Sequence, residues 1–428
     1  MSRTKRIAMI SYHTCPLAYH EGKESGGMEI YVLELAKELS NRGVLVDVFT
    51  RLQDEKDAHI VQVQPHFRVI HLNAGPSSHV PKKELVRYIP EFAKKLHAFI
   101  TKENSTYDLV HAHYYMSGLA ALELQNAYKN RFPLITTFHT LALMKNLVAR
   151  NEKERESDFR INTEMKLIQR SEKITASSVT DRDYLLSLYD CPPQKIEVIT
   201  PGVDTKLFHR IDKKEAAKHI NESPKQKIIM FVGRIEPLKG IDVLMYALKI
   251  YLHRNPKSDL KLMIVGGSNQ ALATNDELER LKILQHTLHI HPAVEFIPQK
   301  QQIELPYYYN YADIVIIPSH YESFGMTALE AMACGTSIIV TDTTGISSII
   351  DKELRNLLIS ANNPLMLATQ IESVLNDQKK HEELQRKVMN KVKCMTWEQV
   401  ANKMIRIYTA LRKLIGKKVC DKKTDYLF

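Results

Sequence analysis

The sequence is short of the features that tie a chain to a bilayer, a disulfide scaffold or a familiar nucleotide loop. Its five cysteines (Cys15, Cys191, Cys334, Cys394 and Cys420) are scattered, with no C-x-x-C pair. An odd, dispersed set makes a poor disulfide framework; it fits a reducing compartment, with the thiols as small buried filler. No apolar run approaches the roughly 18 to 20 residues of a membrane span. The opening "MSRTKRIAMISYH" holds an apolar run too short for the core of a signal peptide and reads as a first β-strand, so a cytoplasmic location is expected. There is no G-x-G-x-x-G, no Walker loop, no H-E-x-x-H and no G-x-S-x-G. Nicotinamide dehydrogenase, zinc hydrolase and serine esterase readings therefore gain no support. "DRD" at Asp181 to Asp183 follows "SSVT" and reads as the start of a helix rather than a metal site. His111 and His113, like His289 and His291, lack a third ligand at metal spacing. No metal site is expected.

What is present is a globular composition, with 44% hydrophobic and 25% charged residues, over 428 residues, a length suited to two or three domains. The net charge of +10 asks for an anionic partner. The basic residues form no aromatic-interleaved stripe, so no nucleic acid is expected and small phosphates fit better. The densest cluster is the tail "RKLIGKKVCDKKTDYLF", either a solvated end or a contact to a membrane surface. Strand-like runs alternate with helical patterns throughout: "RIAMISY", "VLVDVFTR", "DLVHAHY" and "FPLITTFH", then, after "TPGVDTKLFHRID", "KIIMFVGR", "LKLMIVGG", "DIVIIPS" and "SIIVTD". This is the α/β pattern of parallel sheets, and its restart near residue 201 predicts two doubly wound Rossmann-like domains facing a cleft. The expected division is 1–202, 203–395, a returning helix over 396–416 and a basic tail over 417–428.

Three stretches carry chemistry. "KESGGMEIYVLELAKEL" puts Gly26 and Gly27 before an amphipathic helix, where backbone amides can approach an anion. "FVGRIEPLKGIDVLMYAL" sets Arg234 and Lys239 around a strand-to-helix turn, a pattern suited to a diphosphate. "PSHYESFGMTALEAMACGTSIIVTD" places Glu322 after a strand and Glu330, expected two turns into the next helix, roughly on the same side. Carboxylates accept paired hydrogen bonds from vicinal hydroxyls, so one acid can hold a sugar and the other a ribose.

In combination, "ESFGMTALEAMACGT", "VGRIEPLKGID", "ITPGVDTKLF" and "TWEQVANKMIRIY" resemble the retaining nucleotide-sugar glycosyltransferases of family 4, with the GT-B fold, over residues 5 to 412. "HTCPL", "SGGMEIYVLELAKEL", "HAHYYMSG", "VPKKELVRYIPEF" and "TFHTLALMKN" are similar to the branch holding the inositol-phosphate N-acetylglucosaminyltransferases of mycothiol synthesis and the sucrose-phosphate synthases. The resemblance implies a UDP-sugar donor, a hexosyl unit (glucose or N-acetylglucosamine) and a small phosphorylated acceptor. It implies no required cofactor, any magnesium being non-essential. It assigns the diphosphate to Arg234 and Lys239 with Gly26, Gly27 and the segment Ser323, Phe324, Gly325, Met326 and Thr327. Glu322 falls to the sugar hydroxyls, Glu330 to the ribose, and His139 beside the transferred sugar. Lys82, Tyr114, Thr140 and Arg160 match acceptor-phosphate positions. Two departures stand out: Glu29 replaces an asparagine of the inositol-phosphate enzymes and repels phosphate if it faces the cleft, and Thr344 replaces the first of a usual glycine pair. Alternatives are a glycolipid or polysaccharide glycosyltransferase at a membrane surface and a non-catalytic nucleotide-sugar-binding protein; a homodimer is left open.

Overall fold

Short apolar runs such as Arg6–Ile10 and Ile228–Val232 are buried along nearly their whole length, as strands covered on both faces must be. They build two sheets in a computed structural model that describes residues 6–17, 26–78, 80–128, 132–267, 276–343 and 345–424. The first sheet comprises β1 (Arg6–Ile10), β2 (Leu45–Arg51), β3 (Ile60–Gln64), β4 (Phe67–Leu72), β5 (Leu109–His113), β6 (Leu134–Thr137), β7 (Lys173–Ala176) and β8 (Ile196–Val198), in the order β3-β4-β2-β1-β5-β6-β7-β8. The second comprises β9 (Ile228–Val232), β10 (Lys261–Val265), β11 (Val294–Ile297), β12 (Ile314–Ile317), β13 (Ser337–Thr341) and β14 (Leu358–Ile359), in the order β11-β10-β9-β12-β13-β14. Pairing is parallel except in the β3–β4 hairpin.

In each sheet the chain first runs outward from an inner strand and then returns to build the other side. The reversal lies between β1 and β5 in one sheet and between β9 and β12 in the other. Loops leaving the strand ends diverge there and open a crevice, which places any ligand site at the C-terminal edges of those strands.

A helix over Trp397–Thr424 carries Trp397, Val400, Ala401, Met404, Tyr408 and Leu411 on one buried stripe at helical spacing. That stripe packs in the cluster of Tyr31, Val32, Leu35 and Leu39 from the helix Gly27–Asn41, so the last helix of the chain lies on the first domain. The helix continues through 417–424, beyond the end at 416 expected from the sequence; 425–428, the remainder of the tail, lie outside the described residues, as does Thr344. The outgoing and returning segments meet where Val203 N donates to Met395 O at 2.9 Å. A Cβ on Gly202 would come within 2.3 Å of Trp397 N, so only glycine allows this approach. Cys15, Cys191 and Cys334 are buried, whereas Cys394 is exposed. Among the described residues, no helix is long and apolar enough to cross a membrane.

Candidate active site

A cavity of about 350 Å³ separates the two domains and is lined from both. Its donor-facing wall begins at the helix Met326–Ala333, whose N-cap Gly325 sits at φ +93°, a conformation that favours glycine. Phe324, Gly325, Met326 and Thr327 line the cavity at the start of this helix, where amides without intrahelical partners favour negative charge. Glu330 is one turn into the helix, not two, because the helix starts at Met326.

Glu322 and Lys239 meet in the cleft. Lys239 Nζ lies 2.9 Å from Glu322 Oε2, with Lys239 14% exposed, and the Ser319 hydroxyl donates to the same oxygen at 3.2 Å. Arg234, half exposed, pairs with Glu236 at 2.9 Å. Burial pushes the Glu236 carboxyl up, but Arg234 and then Lys239 hold it below the usual range. Gly26 and Gly27 face these groups from the first domain. A Cβ on Gly26 would lie 3.9 Å from Arg234 Nε, and one on Gly27 3.5 Å from the Met326 methyl. A further close approach forms the floor, where a Cβ on Gly266 (φ +159°) would lie 1.8 Å from Gly233 O. Gly233 and Gly266 line the cavity but carry no side chain that would have flagged them in the sequence.

Glu330 is 6% exposed and accepts hydrogen bonds from Tyr309 Oη at 2.7 Å and Gln302 Nε2 at 3.3 Å. Burial raises its carboxyl to about 7, and the Tyr309 bond offsets only part of that. Neither partner was visible in the sequence, since each comes from a separate segment 21 or 28 residues away.

The opposite end of the cleft is basic and aromatic. Tyr114 follows β5 with φ +77°, and His139 follows β6 with φ +61°. Two non-glycine residues in this region at adjacent strand ends store backbone strain, as residues at functional sites often do. Lys82 Nζ lies 4.5 Å from the Tyr114 ring centroid, and the Arg160 guanidinium lies 4.8 Å from it. His13 packs on the same ring, with centroids 4.6 Å apart. Burial first, then the neighbouring Lys82, His139, Arg160 and Arg234, push the His13 imidazole well below its ordinary pKa. Lys82, Tyr114, Thr140 and His139 all line the cavity. Arg160 stands behind them. It is 1% exposed, bonded to Glu164 at 2.8 Å and Glu156 at 2.8 Å, and donates to Thr140 O at 2.9 Å and Thr140 Oγ1 at 3.1 Å. Its charge reaches the cleft through Thr140 and Tyr114.

His139 is set by His113, the last residue of β5. Its Nε2 lies 3.0 Å from Nδ1 of the buried His113, and the rings are stacked. Burial lowers the His139 pKa to about 3 and that of His113 well below its usual value, so both are neutral. Among the described residues, His113 Nε2 has no hydrogen-bond partner. A buried N–H without an acceptor is the costlier orphan. The His113 proton therefore sits on Nδ1 and is donated to His139, which in turn carries its own proton on Nδ1.

Glu29 lines the cleft, but its oxygens are committed. Oε1 accepts from the Thr14 hydroxyl at 2.5 Å and Oε2 from Gly26 N at 2.9 Å, closing the cap of its own helix. Burial also raises its pKa. The repulsion expected of a carboxylate at this position is thereby weakened. Among the described residues no group of three or more His, Cys, Asp or Glu side chains is arranged to hold a metal ion.

A profile described as "Glycosyltransferase Family 4" matches residues 25–207 and one described as "Glycosyl transferases group 1" matches 212–391. A D-inositol 3-phosphate glycosyltransferase of Corynebacterium jeikeium is 36% identical over 84% of this chain and 85% of its own. The chain belongs to glycosyltransferase family 4. The glycosyltransferase shares its fold with sucrose-phosphate synthase from Thermosynechococcus elongatus (TM-score 0.86, 29% identity, 95% of this chain and 99% of the other). It also shares the fold of Anabaena HepE, solved in complex with UDP and glucose (TM-score 0.73, 16% identity, 95% of this chain and 100% of the other). The two-domain GT-B architecture and the likeness to sucrose-phosphate synthase expected from the sequence both hold. The glycosyltransferase thus presents one interdomain cleft with cations and a helix start at one end and a basic, aromatic pocket at the other.

Proposed function

We propose that the enzyme transfers a glucosyl or N-acetylglucosaminyl unit from a UDP-sugar to a hydroxyl of a small phosphorylated acceptor, with retention. The observation that carries this reading is the Lys239–Glu322 pair at the start of the Met326–Ala333 helix. The two groups satisfy each other's charge at 2.9 Å. A donor diphosphate would draw Lys239 away to join Arg234 and the helix amides, and the released Glu322 would accept hydrogen bonds from the sugar. One binding event thus orders both ends of the bond to be broken.

In the proposed reaction, the bond between the anomeric carbon and the diphosphate oxygen breaks. The acceptor oxygen bonds to that carbon on the same face, and a departing phosphate oxygen takes the acceptor proton. Arg234, Lys239 and the amides of 324–327 stabilise the charge that develops on the leaving group, a role that needs no metal. His139, its proton on Nδ1, serves the sugar as a neutral donor. Glu330 takes the ribose. Closure of the two domains excludes water and limits donor hydrolysis.

Glu330 gives this reading a pH signature. A ribose donating two hydrogen bonds favours the ionised carboxylate, so binding UDP releases a proton where Glu330 is otherwise protonated. The expected result is an affinity for UDP that rises with pH up to about 7 and then levels. Isothermal titration in buffers of different ionisation enthalpy measures the proton release, and Glu330→Gln should lose this component. The free enzyme behaves oppositely: a raised carboxyl pKa contributes stability below its ordinary value that is lost as pH climbs to about 7.

A phosphorylated acceptor is supported by Lys82, His13 and Tyr114 at a cleft end where, among the described residues, the lining acid is Glu29, which is tied to its own helix. The curated relative named for D-inositol 3-phosphate points the same way. The test is UDP release from UDP-glucose and UDP-N-acetylglucosamine against inositol phosphate, fructose 6-phosphate and their unphosphorylated counterparts. Wild-type enzyme should require the phosphate. Lys82→Ala should raise the KM of the phosphorylated acceptor by about 10- to 100-fold, the size of a lost charge-assisted contact, and leave UDP affinity unchanged. Equal rates with and without the phosphate would defeat the acceptor assignment.

A further inference from the structure

The loop that carries Glu322 is gripped from the opposite domain. Asp181 lies in the first turn of the helix Val179–Tyr189 and is 5% exposed. Its Oδ1 accepts a hydrogen bond from Tyr321 Oη at 3.3 Å, and its Oδ2 accepts one from the Ser323 hydroxyl. These two donors flank Glu322 in the chain. Tyr321, 1% exposed, packs among first-domain residues including Leu141, Ile174 and Ala176 rather than in the core of its own domain. Within the second domain the same loop is tied again: Gly345 N donates to Glu322 O at 2.9 Å, and a Cβ on Gly345 would lie 1.9 Å from Ser323 O.

Helix capping does not account for Asp181. Ser178 already caps that helix, its side chain accepting from Asp181 N at 3.0 Å. An acid serving only the helix start could stay in water, whereas burying this carboxyl costs solvation that is offset in part by the bonds from Ser323 and Tyr321 in the opposite domain, with a smaller contribution from the Ser177 backbone.

We propose that Asp181 is a positioning residue for transfer, holding Tyr321 and Ser323 so that Glu322 and the amides after it stay aligned with the acceptor half of the cleft. This rests on the reading of Glu322 as a ligand of the donor sugar. The contact is also sensitive to pH. Burial raises the Asp181 carboxyl to about 7, and the Ser323 and Tyr321 bonds offset part of the rise. Among the described residues, the elements around it supply no compensating charge. Lys173 on β7 and Glu197 on β8 pair with each other, the segment Gly345–Ile349 has no ionisable side chain, and on its own helix Arg182 pairs with Asp183. In the loop, Tyr321 is held neutral by burial and Glu322 pairs with Lys239. Separation of the domains returns Asp181 to water and to its ordinary pKa of about 4. The closed contact is therefore favoured below that value and weakened as pH rises to about 7.

The test compares wild type, Asp181→Ala, Asp181→Asn, Tyr321→Phe and the Asp181→Ala/Tyr321→Phe pair, using UDP-glucose and UDP-N-acetylglucosamine as donors. Asp181→Ala should lower kcat about 10- to 30-fold, as expected for a misplaced ligand, with UDP affinity kept within about threefold. The share of donor lost to hydrolysis should rise. The paired variant should lose little more than Asp181→Ala alone, because both changes break one contact. Asp181→Asn, which keeps the shape, should flatten the part of the pH profile of kcat between 5 and 7 that belongs to this group, relative to wild type. Unchanged kcat and hydrolysis in Asp181→Ala, or fully additive losses in the pair, would overturn the proposal. If Asp181→Ala does not fold, Asp181→Asn combined with Tyr321→Phe decides by the same additivity. A wild-type protein that transfers from neither donor overturns the reading of Glu322, whereas a transferring wild type with an unaltered Asp181→Ala overturns this inference alone.

Discussion

Glu322→Gln should reduce transfer by about 100- to 1000-fold, the range for removing one electrostatic contact to a developing transition state, while UDP binds as well as before or more tightly. The asymmetry comes from Lys239. Lys239 lies 2.9 Å from Glu322, and in the proposed role a diphosphate competes with that carboxylate for the cation. A glutamine has the same shape, retains a hydrogen bond from Ser319 and no longer competes. The sugar loses its charged acceptor at the same time. Single-turnover rates with either donor, together with titration of UDP alone, separate the two effects. Loss of UDP affinity in parallel with transfer would mean that Glu322 supports the fold of the loop rather than the sugar.

Lys239→Ala should be more damaging to kcat/KM, by about 1000-fold, or roughly 4 kcal/mol of transition-state stabilisation. In the proposed role, the change removes a cation from the leaving diphosphate and leaves the partly buried Glu322 without its counter-charge, so an uncompensated negative charge faces the phosphates. Arg234 cannot replace it, because it is half exposed and engaged with Glu236. Lys239→Arg should recover only part of the loss, since a planar fork does not occupy the place of a compact ammonium. Steady-state kinetics with varied donor measures this, and a kcat/KM within threefold of wild type would remove Lys239 from the mechanism.

The sequence disclosed the fold through alternation. Runs such as "RIAMISY" and "KIIMFVGR" separated by helical stretches implied parallel sheets, and the restart after residue 201 implied two of them. Glu322, Glu330, Arg234 and Lys239 were legible because chemically demanding side chains fell at strand-to-helix turns. The partners of these residues were not. Hydrogen bonds between Tyr309 and Glu330, or across 140 residues between Tyr321 and Asp181, depend on how distant segments pack, and no local pattern encodes that. The family resemblance sets Arg160 against the acceptor phosphate, yet it lies behind the cleft between two carboxylates, because burial cannot be inferred from one polar residue on a helix. Asp181 reads as part of a helix start. That reading is right about the backbone and silent on the interdomain bond its side chain makes.

In the proposed function, this cleft moves a sugar from a nucleotide to an acceptor with its anomeric configuration kept. The most direct measurement follows the anomeric proton by NMR during turnover of UDP-glucose or UDP-N-acetylglucosamine with the phosphorylated acceptor that releases UDP fastest. The expected result is an α-linked glycoside formed in step with UDP. A β-linked product, or UDP released with free sugar and no glycoside, would contradict the account.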